Sequence, residues 1–180
     1  MTDVNVVLDA NRQAVGELIA DAERCHGNWT TPRAPGKWSP SEVVEHVARS
    51  LEESANMISG AQTALPRLPF FLRPVARLFL NRMVRTGVIP KGKAAKALQP
   101  SRSLATPAEG RARLEAALAK FDRACRARAA TAEWVESGVF GKVPLQDYAR
   151  FMEIHTRHHC KQIGRTLRGA TVAVRGNFRA

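Results

Sequence analysis

Apolar residues recur with a helical period along most of this chain, and four long stretches carry the pattern. The first covers about Asp3 to Arg24, where Val4, Val7, Leu8, Val15, Leu18, Ile19 and Ala22 share one face at about 100° per residue. The second opens at Ser39-Pro40-Ser41-Glu42. There a serine can cap free backbone N–H groups, a proline suits the first helical position because it has no N–H to leave unpaired, and the glutamate completes a capping box. This helix continues to about Ser59, with Val43, Val47, Leu51, Ser54 and Ile58 on one stripe and His46 at its edge. Thr106-Pro107-Ala108-Glu109 repeats the start signal for a third helix, whose inner face is Leu114, Ala117, Leu118, Phe121 and Cys125 and which ends near Ala130. Pro144 opens the fourth, which runs to about Arg168 with Gly169 placed to end it. Its stripe is Tyr148, Met152, His155, His159 and Ile163, so two imidazoles stand where core-facing apolar residues are expected.

Between these helices, Asn28–Lys37 contains Pro32, Pro35 and Gly36 and reads as a loop, while Thr131–Val143, with Gly138 and Gly141, reads as a linker. Strand-like alternation is confined to short runs. The pattern therefore predicts an all-α fold, with the whole chain, residues 1–180, forming a single helical domain large enough to bury its own core. No internal repeat or sustained heptad points to a solenoid or an extended coiled coil.

Residues 61–103 break the regular picture. Pro74–Arg85 places Val75, Leu78, Phe79 and Met83 on one face and Arg77, Asn81 and Arg85 on the other, which predicts a short amphipathic helix; Lys91-Gly92-Lys93 to Pro100 reads as a loop. So long a connection inside a helical domain is often a lid or binding element. Charge singles out the same stretch: it carries nine basic and no acidic side chains, against five basic and nine acidic in residues 1–60, within a chain of net charge +12. Such a patch can attract nucleic acid, an anionic membrane or an anionic small molecule. Phe70, Phe71, Leu72 and Leu78 among arginines resemble an interfacial segment, but apolar stripes ordinarily seek the core, so the favoured reading has them covering the helices with the arginines in water. Nucleic acid is disfavoured, since no helix-turn-helix or aromatic stacking motif accompanies the charge.

Cys25, Cys125 and Cys160 are odd in number and form no C-x-x-C, which argues against a disulfide framework and for a reducing compartment. With neither a basic-then-apolar leader nor an apolar run of about 20 residues, the expectation is a soluble cytoplasmic protein.

The candidate chemistry lies in the histidines. His155 and His159, four apart, sit one turn above each other, a spacing that suits two ligands of one ion, and His46 faces inward from the second helix. Three imidazoles from facing helices can form a site for zinc, nickel, copper or iron with a position left for water or substrate. Against this stands the plainer reading of a semi-buried histidine and a chance H-x-x-x-H pair; spacing alone leaves both open. His158 is rotated about 100° from His159 and stays outside the ligand set. Cys160 points away from that face, Cys25 and Cys125 read as core residues, and His26 as a helix-end residue. Trp29, Trp38 and Trp134 lie near loop boundaries, where they cap the core or line a pocket. Glu45 and Glu153 are candidates to support the ligands from behind. No G-x-S-x-G, phosphate-binding glycine loop or H-E-x-x-H is present.

Two segments together resemble the DinB/YfiT-like superfamily of bacterial four-helix proteins. One is Gly36-Lys37-Trp38-Ser39-Pro40-Ser41-Glu42-Val43-Val44-Glu45-His46-Val47; the other is Phe140-Gly141 followed by His155-x-x-x-His159-x-x-Gln162-Ile163. The resemblance covers the first, second and fourth helices and leaves out residues 61–103. It implies an up-down-down-up four-helix bundle with a long connection between its second and third helices. It also implies a divalent metal ion (zinc, nickel or iron) held by His46, His155 and His159, and a homodimer. Characterised relatives include S-transferases using a low-molecular-weight thiol, hydrolase-like proteins and isomerases, so the expected function is a metal-dependent thiol transferase or hydrolase acting on a small molecule in detoxification. Arg73, Arg77, Arg82 or Arg85 would then attract an anionic substrate or thiol. The alternative is a non-catalytic metal-binding or interaction module whose basic segment meets an anionic partner or membrane surface.

Overall fold

In the computed structural model the described residues are 3–90, 92, 94–100 and 104–176, with the side chains of 26 and 168–176 left aside; Lys91 and Lys93 of the expected loop lie outside them. Helix α1 spans Val4–Glu23, capped by Asp3, whose side chain accepts from Asn5 N at 2.9 Å. Helix α2 spans Pro40–Ser59 and starts as its capping box requires. Ser39 Oγ accepts from Glu42 N at 3.3 Å, Glu42 Oε2 accepts from Ser39 N at 2.7 Å, and Gly60 closes the helix at φ 76°. Removing such a cap costs about 1 kcal/mol, which is why the boundary is legible in sequence. Helix α3 spans Arg73–Thr86 and helix α4 Pro107–Ala129. Thr106 caps α4 by accepting from Glu109 N at 3.2 Å, but Glu109 reaches past it to Ala105 N at 2.9 Å, so the reciprocal box does not form.

The linker expected over 131–143 is instead a small antiparallel hairpin, β1 Trp134–Ser137 and β2 Gly141–Pro144. Its strands are too short to show alternation: Val135 pairs with Val143, and these are its only two buried apolar residues. The turn needs Gly141, at φ 70°, and Ser137 Oγ, which accepts from Val139 N and Phe140 N at 3.3 and 3.2 Å. Pro144 thus ends a strand, and the last helix, α5, begins at Leu145 and continues to Gly176. Gly169 does not stop it; a glycine inside a helix costs about 1 kcal/mol but does not by itself break one.

The structure is mostly helical. Helix α1 packs most extensively along α5, and α2 along α4, with α1 also touching α4. Leu8, Val15 and Leu18 meet Val44, Val47, Leu51, Leu114, Phe121 and Ile163 in the core, all fully buried. Asn11 crosses this packing: its Nδ2 donates to Val7 O at 2.9 Å and to Ala149 O at 3.0 Å, tying α1 to α5.

Helix α3 departs from expectation. Only Leu80 and Met83 are buried, while Phe70, Phe71, Leu72, Val75, Leu78 and Phe79 are exposed to solvent. The apolar stripe read as core-covering therefore points largely outward. No described helix is long and apolar enough to cross a membrane.

Candidate metal centre

His46 on α2 meets His155 and His159 on α5, and their ring nitrogens converge. His155 Nε2 lies 3.1 Å from His46 Nε2 and 3.2 Å from His159 Nε2. The α2 capping box sets the register that turns His46 inward, and the four-residue spacing stacks the other two. His46 and His159 are buried; His155 is partly exposed, but its Nδ1 is buried. Phe151 lies against the His155 ring at 6.2 Å, and Phe140 from the hairpin turn packs on Phe151 at 5.6 Å. The hairpin thus backs the site.

Burial dominates the electrostatics. It lowers the pKa of His155 to about 3, with the neighbouring His46 and His158 adding to the effect. It holds His159 well below the ordinary value, aided by His155 and His46, and lowers His46 against a raising contribution from its bond to Leu98. All three rings are consequently neutral at pH 7, the state in which imidazole binds metals.

Tautomers follow from the partners. His46 Nδ1 lies 2.6 Å from Leu98 O, an atom that can only accept, so this nitrogen donates and Nε2 keeps its lone pair. His159 Nδ1 lies 2.9 Å from Gln162 Oε1, while Gln162 Nε2 donates to His158 Nε2 at 3.1 Å, so His159 Nε2 also presents a lone pair. His155 Nε2 faces both lone pairs and can offer a hydrogen to only one of them. Its Nδ1 has no partner. A focus of neutral nitrogen lone pairs with one left unsatisfied is what a cation would complete; nitrogens about 2.0–2.1 Å from one tetrahedral ion would stand roughly 3.3 Å apart. The group could bind a metal ion.

Residues behind the ligands differ from those expected. Glu45 is buried against Arg113 at 3.5 Å, and Glu153 is held by Arg150 and Arg157 at 2.6 and 2.5 Å, so neither supports a histidine. That role falls to the Leu98 carbonyl and to Gln162. Gln162, three residues past His159, was within reach of helical spacing; Leu98, 52 residues from His46, was not. Arg49 was also missed: it donates to Ala97 O at 2.9 Å and to Gln99 O at 3.1 Å. Three consecutive carbonyls of the 3-10 turn around Lys96–Leu98 are therefore clamped by two side chains of α2.

A cavity of about 460 Å³ opens on the three rings, and a second of about 440 Å³ adjoins it across Trp38 and Gln162. Trp38 stands 4.8 Å from His46 and 6.4 Å from His159, ring to ring, so it lines the pocket. Trp29 is buried and donates to Leu104 O at 2.7 Å, and Trp134 lies on the hairpin beneath Arg77 and Lys142. His158 lines the cavity outside the ligand group. The cations at its rim are Arg33, Lys37 and Arg165, and no described carboxylate lines either cavity. The arginines expected there lie elsewhere: Arg73 donates to Leu68 O and pairs with Glu136, Arg77 covers Trp134, and Arg82 and Arg85 are exposed on α3. Cys160 is buried with its thiol directed to Ala14 O at 3.6 Å, away from the site.

These features define a mostly helical protein with a three-histidine group at the wall of a cationic cleft. The profile described as the DinB superfamily matches residues 8–163, and the chain belongs to that superfamily, whose members are typically metal-binding. Comparison with curated proteins and with solved structures finds no match.

Proposed function

We propose that this chain is a metal-dependent enzyme, a thiol S-transferase or a hydrolase of detoxification type, with His46, His155 and His159 holding a divalent ion of zinc, nickel or iron. The observation that carries the reading is the convergence of three neutral ring nitrogens on the wall of a cleft rimmed by cations. A divalent ion bound there is a Lewis acid that makes a thiol or a water more acidic. The chain's own residues do the rest. Leu98 O and Gln162 Oε1 hold two rings in the tautomer that exposes Nε2. Trp38 covers the His46 and His159 rings, and Arg33, Lys37 and Arg165 draw in an anionic thiol or substrate. In the transfer reaction the thiol loses its proton, its sulfur forms a bond to an electrophilic carbon, and the leaving group departs with its electron pair. The same reading takes the chain as one domain whose four long helices form an up-down-down-up bundle, with residues 61–103 as the long connection between α2 and α4.

The test is twofold. Protein purified without an affinity tag should carry near one equivalent of divalent metal by mass spectrometry, and folded His46→Ala and His159→Ala variants little. Metal-loaded protein should then speed conjugation of a low-molecular-weight thiol to monochlorobimane, with chloride leaving; equal rates for His155→Ala would refute the transferase reading.

A further inference from the structure

Of the nine large apolar side chains that stand exposed among the described residues, six fall within ten positions: Phe70 at 79%, Phe71 at 64%, Leu72 at 44%, Val75 at 52%, Leu78 at 69% and Phe79 at 54%. Helix α3 is anchored by Leu80 and Met83, so at about 100° per residue its opposite side holds Val75, Leu78, Arg82 and Arg85 along one ridge, with Phe79 beside it. The 3-10 turn Phe70–Leu72 extends the apolar half of that ridge. Arg82 and Arg85 are exposed and make no ion pair with a described residue, and the whole segment 61–103 has nine basic and no acidic side chains. None of the six apolar side chains lines the histidine cleft. A cluster of this kind on a folded protein marks an interaction face.

From these observations we infer that the outer face of Phe70–Arg85 docks on an anionic phospholipid bilayer. An amphipathic helix binds a bilayer through the apolar area it buries at the headgroup boundary together with the attraction of its cations to anionic lipid, and this face supplies both. A second copy fits less well, since a two-fold contact would set Arg82 and Arg85 against themselves with no carboxylate on the face to offset them. The docked helix leads directly to Ile89 and Pro90, which line the histidine cavity, so attachment would place the cleft close to the membrane surface.

Sedimentation of the full chain with vesicles tests this. Vesicles of equal parts phosphatidylcholine and phosphatidylglycerol should carry the protein down, and pure phosphatidylcholine should do so far less. Each Lys or Arg near an anionic surface strengthens binding roughly fivefold, so Arg82→Gln with Arg85→Gln should weaken it by about 25-fold, and high salt should weaken it too. Phe71→Glu with Leu78→Glu should abolish it. Both double variants change exposed residues outside the cleft, so their helicity by circular dichroism and their metal content should match the parent. Equal sedimentation with neutral vesicles, or undiminished binding by the glutamate variant, overturns the inference. So does a dimer by light scattering that becomes monomeric in the glutamate variant, which assigns the face to a second copy.

Discussion

Gln162 offers the sharpest test of how the histidine group is tuned. It is half-buried on α5, one turn beyond His159, and holds the His159 Nδ1–H at 2.9 Å while its amide nitrogen donates to His158 at 3.1 Å. Leucine has nearly the same volume and no acceptor. In Gln162→Leu the buried His159 Nδ1–H loses its partner, a loss that costs about 1–3 kcal/mol. The ring can escape that cost by moving its hydrogen to Nε2, which hides the lone pair directed at the other two rings. Either way the binding-competent tautomer is disfavoured. The expected fall in metal affinity is about 10–100-fold, or roughly 1.4–2.8 kcal/mol, in line with that penalty. Gln162→Glu keeps an acceptor and makes it charged, so its affinity should equal or exceed the parent's. The assay is a competition titration of metal-free protein against a chromophoric chelator. Affinity for Gln162→Leu within twofold of the parent would refute the reasoning, as would a Gln162→Glu variant as weak as Gln162→Leu.

Gly110→Ala tests the seat of Trp29: a Cβ there would lie 2.7 Å from the indole Cη2 and 3.3 Å from Val44 Cγ1, so overpacking of about 1–3 kcal/mol should outweigh the helix-propensity gain of about 1 kcal/mol. Urea unfolding should show a net loss, and a stabilised variant would disprove the close fit. Arg49→Ala frees Ala97 O and Gln99 O and should make residues 94–100 more open to proteolysis with α2 intact; an unchanged cleavage rate would count against the clamp. Burial pushes the Cys125 and Cys160 thiols up to about 12, so both should resist Ellman's reagent in native protein at mildly alkaline pH and react fully once unfolded. Because these thiols and Tyr148, also raised to about 12, hold their protons longer folded than unfolded, stability should fall as pH rises from about 9 towards 12, the window between unfolded and folded values. A flat stability profile there would contradict the burial assigned to these groups.

The helix starts were legible because they are local chemistry: Ser39-Pro40-Ser41-Glu42 contains its own hydrogen-bond partners, and α2 begins at Pro40 as it must. Helical period put His155 and His159 on one face, but spacing alone left their role open; it was the resemblance to the superfamily that joined His46 to them, and the structure brings the three together from α2 and α5. The hairpin escaped because Val135 and Val143 find each other across a turn, and two apolar residues in four-residue strands make no pattern. The outward face of α3 escaped for the opposite reason. Its stripe is as regular as those of the core helices, and period alone cannot say whether Phe79 or Leu80 points inwards. Nor could sequence single out Arg33, Lys37 and Arg165 as the rim cations, because they come from a loop and a helix far apart in the chain, whereas Arg73, Arg77, Arg82 and Arg85, within the segment read as a lid, line neither cavity.

His46 joins the two halves of the cleft. One of its nitrogens faces His155 and the other holds Leu98, so the ring belongs at once to the ligand group and to the fastening of the turn above it. Binding at one nitrogen of an imidazole makes the hydrogen on the other a stronger donor, and the converse also holds: a well-held Nδ1–H makes Nε2 a better ligand. Thermodynamic linkage makes the coupling reciprocal, so whatever the Leu98 bond adds to affinity at the ring, occupation of the ring adds to the hold on Leu98. Arg49 fastens the carbonyls on either side without a hydrogen bond to the ring, and its charge adds to the lowering of the His46 pKa that burial causes. The turn at Lys96–Leu98 is held through both Arg49 and His46, and an ion bound at His46 Nε2 would tighten the second of these holds. Glu45, one residue away, is instead turned to Arg113, so the outer nitrogen of His46 is held by a neutral carbonyl that adds no charge to the cleft.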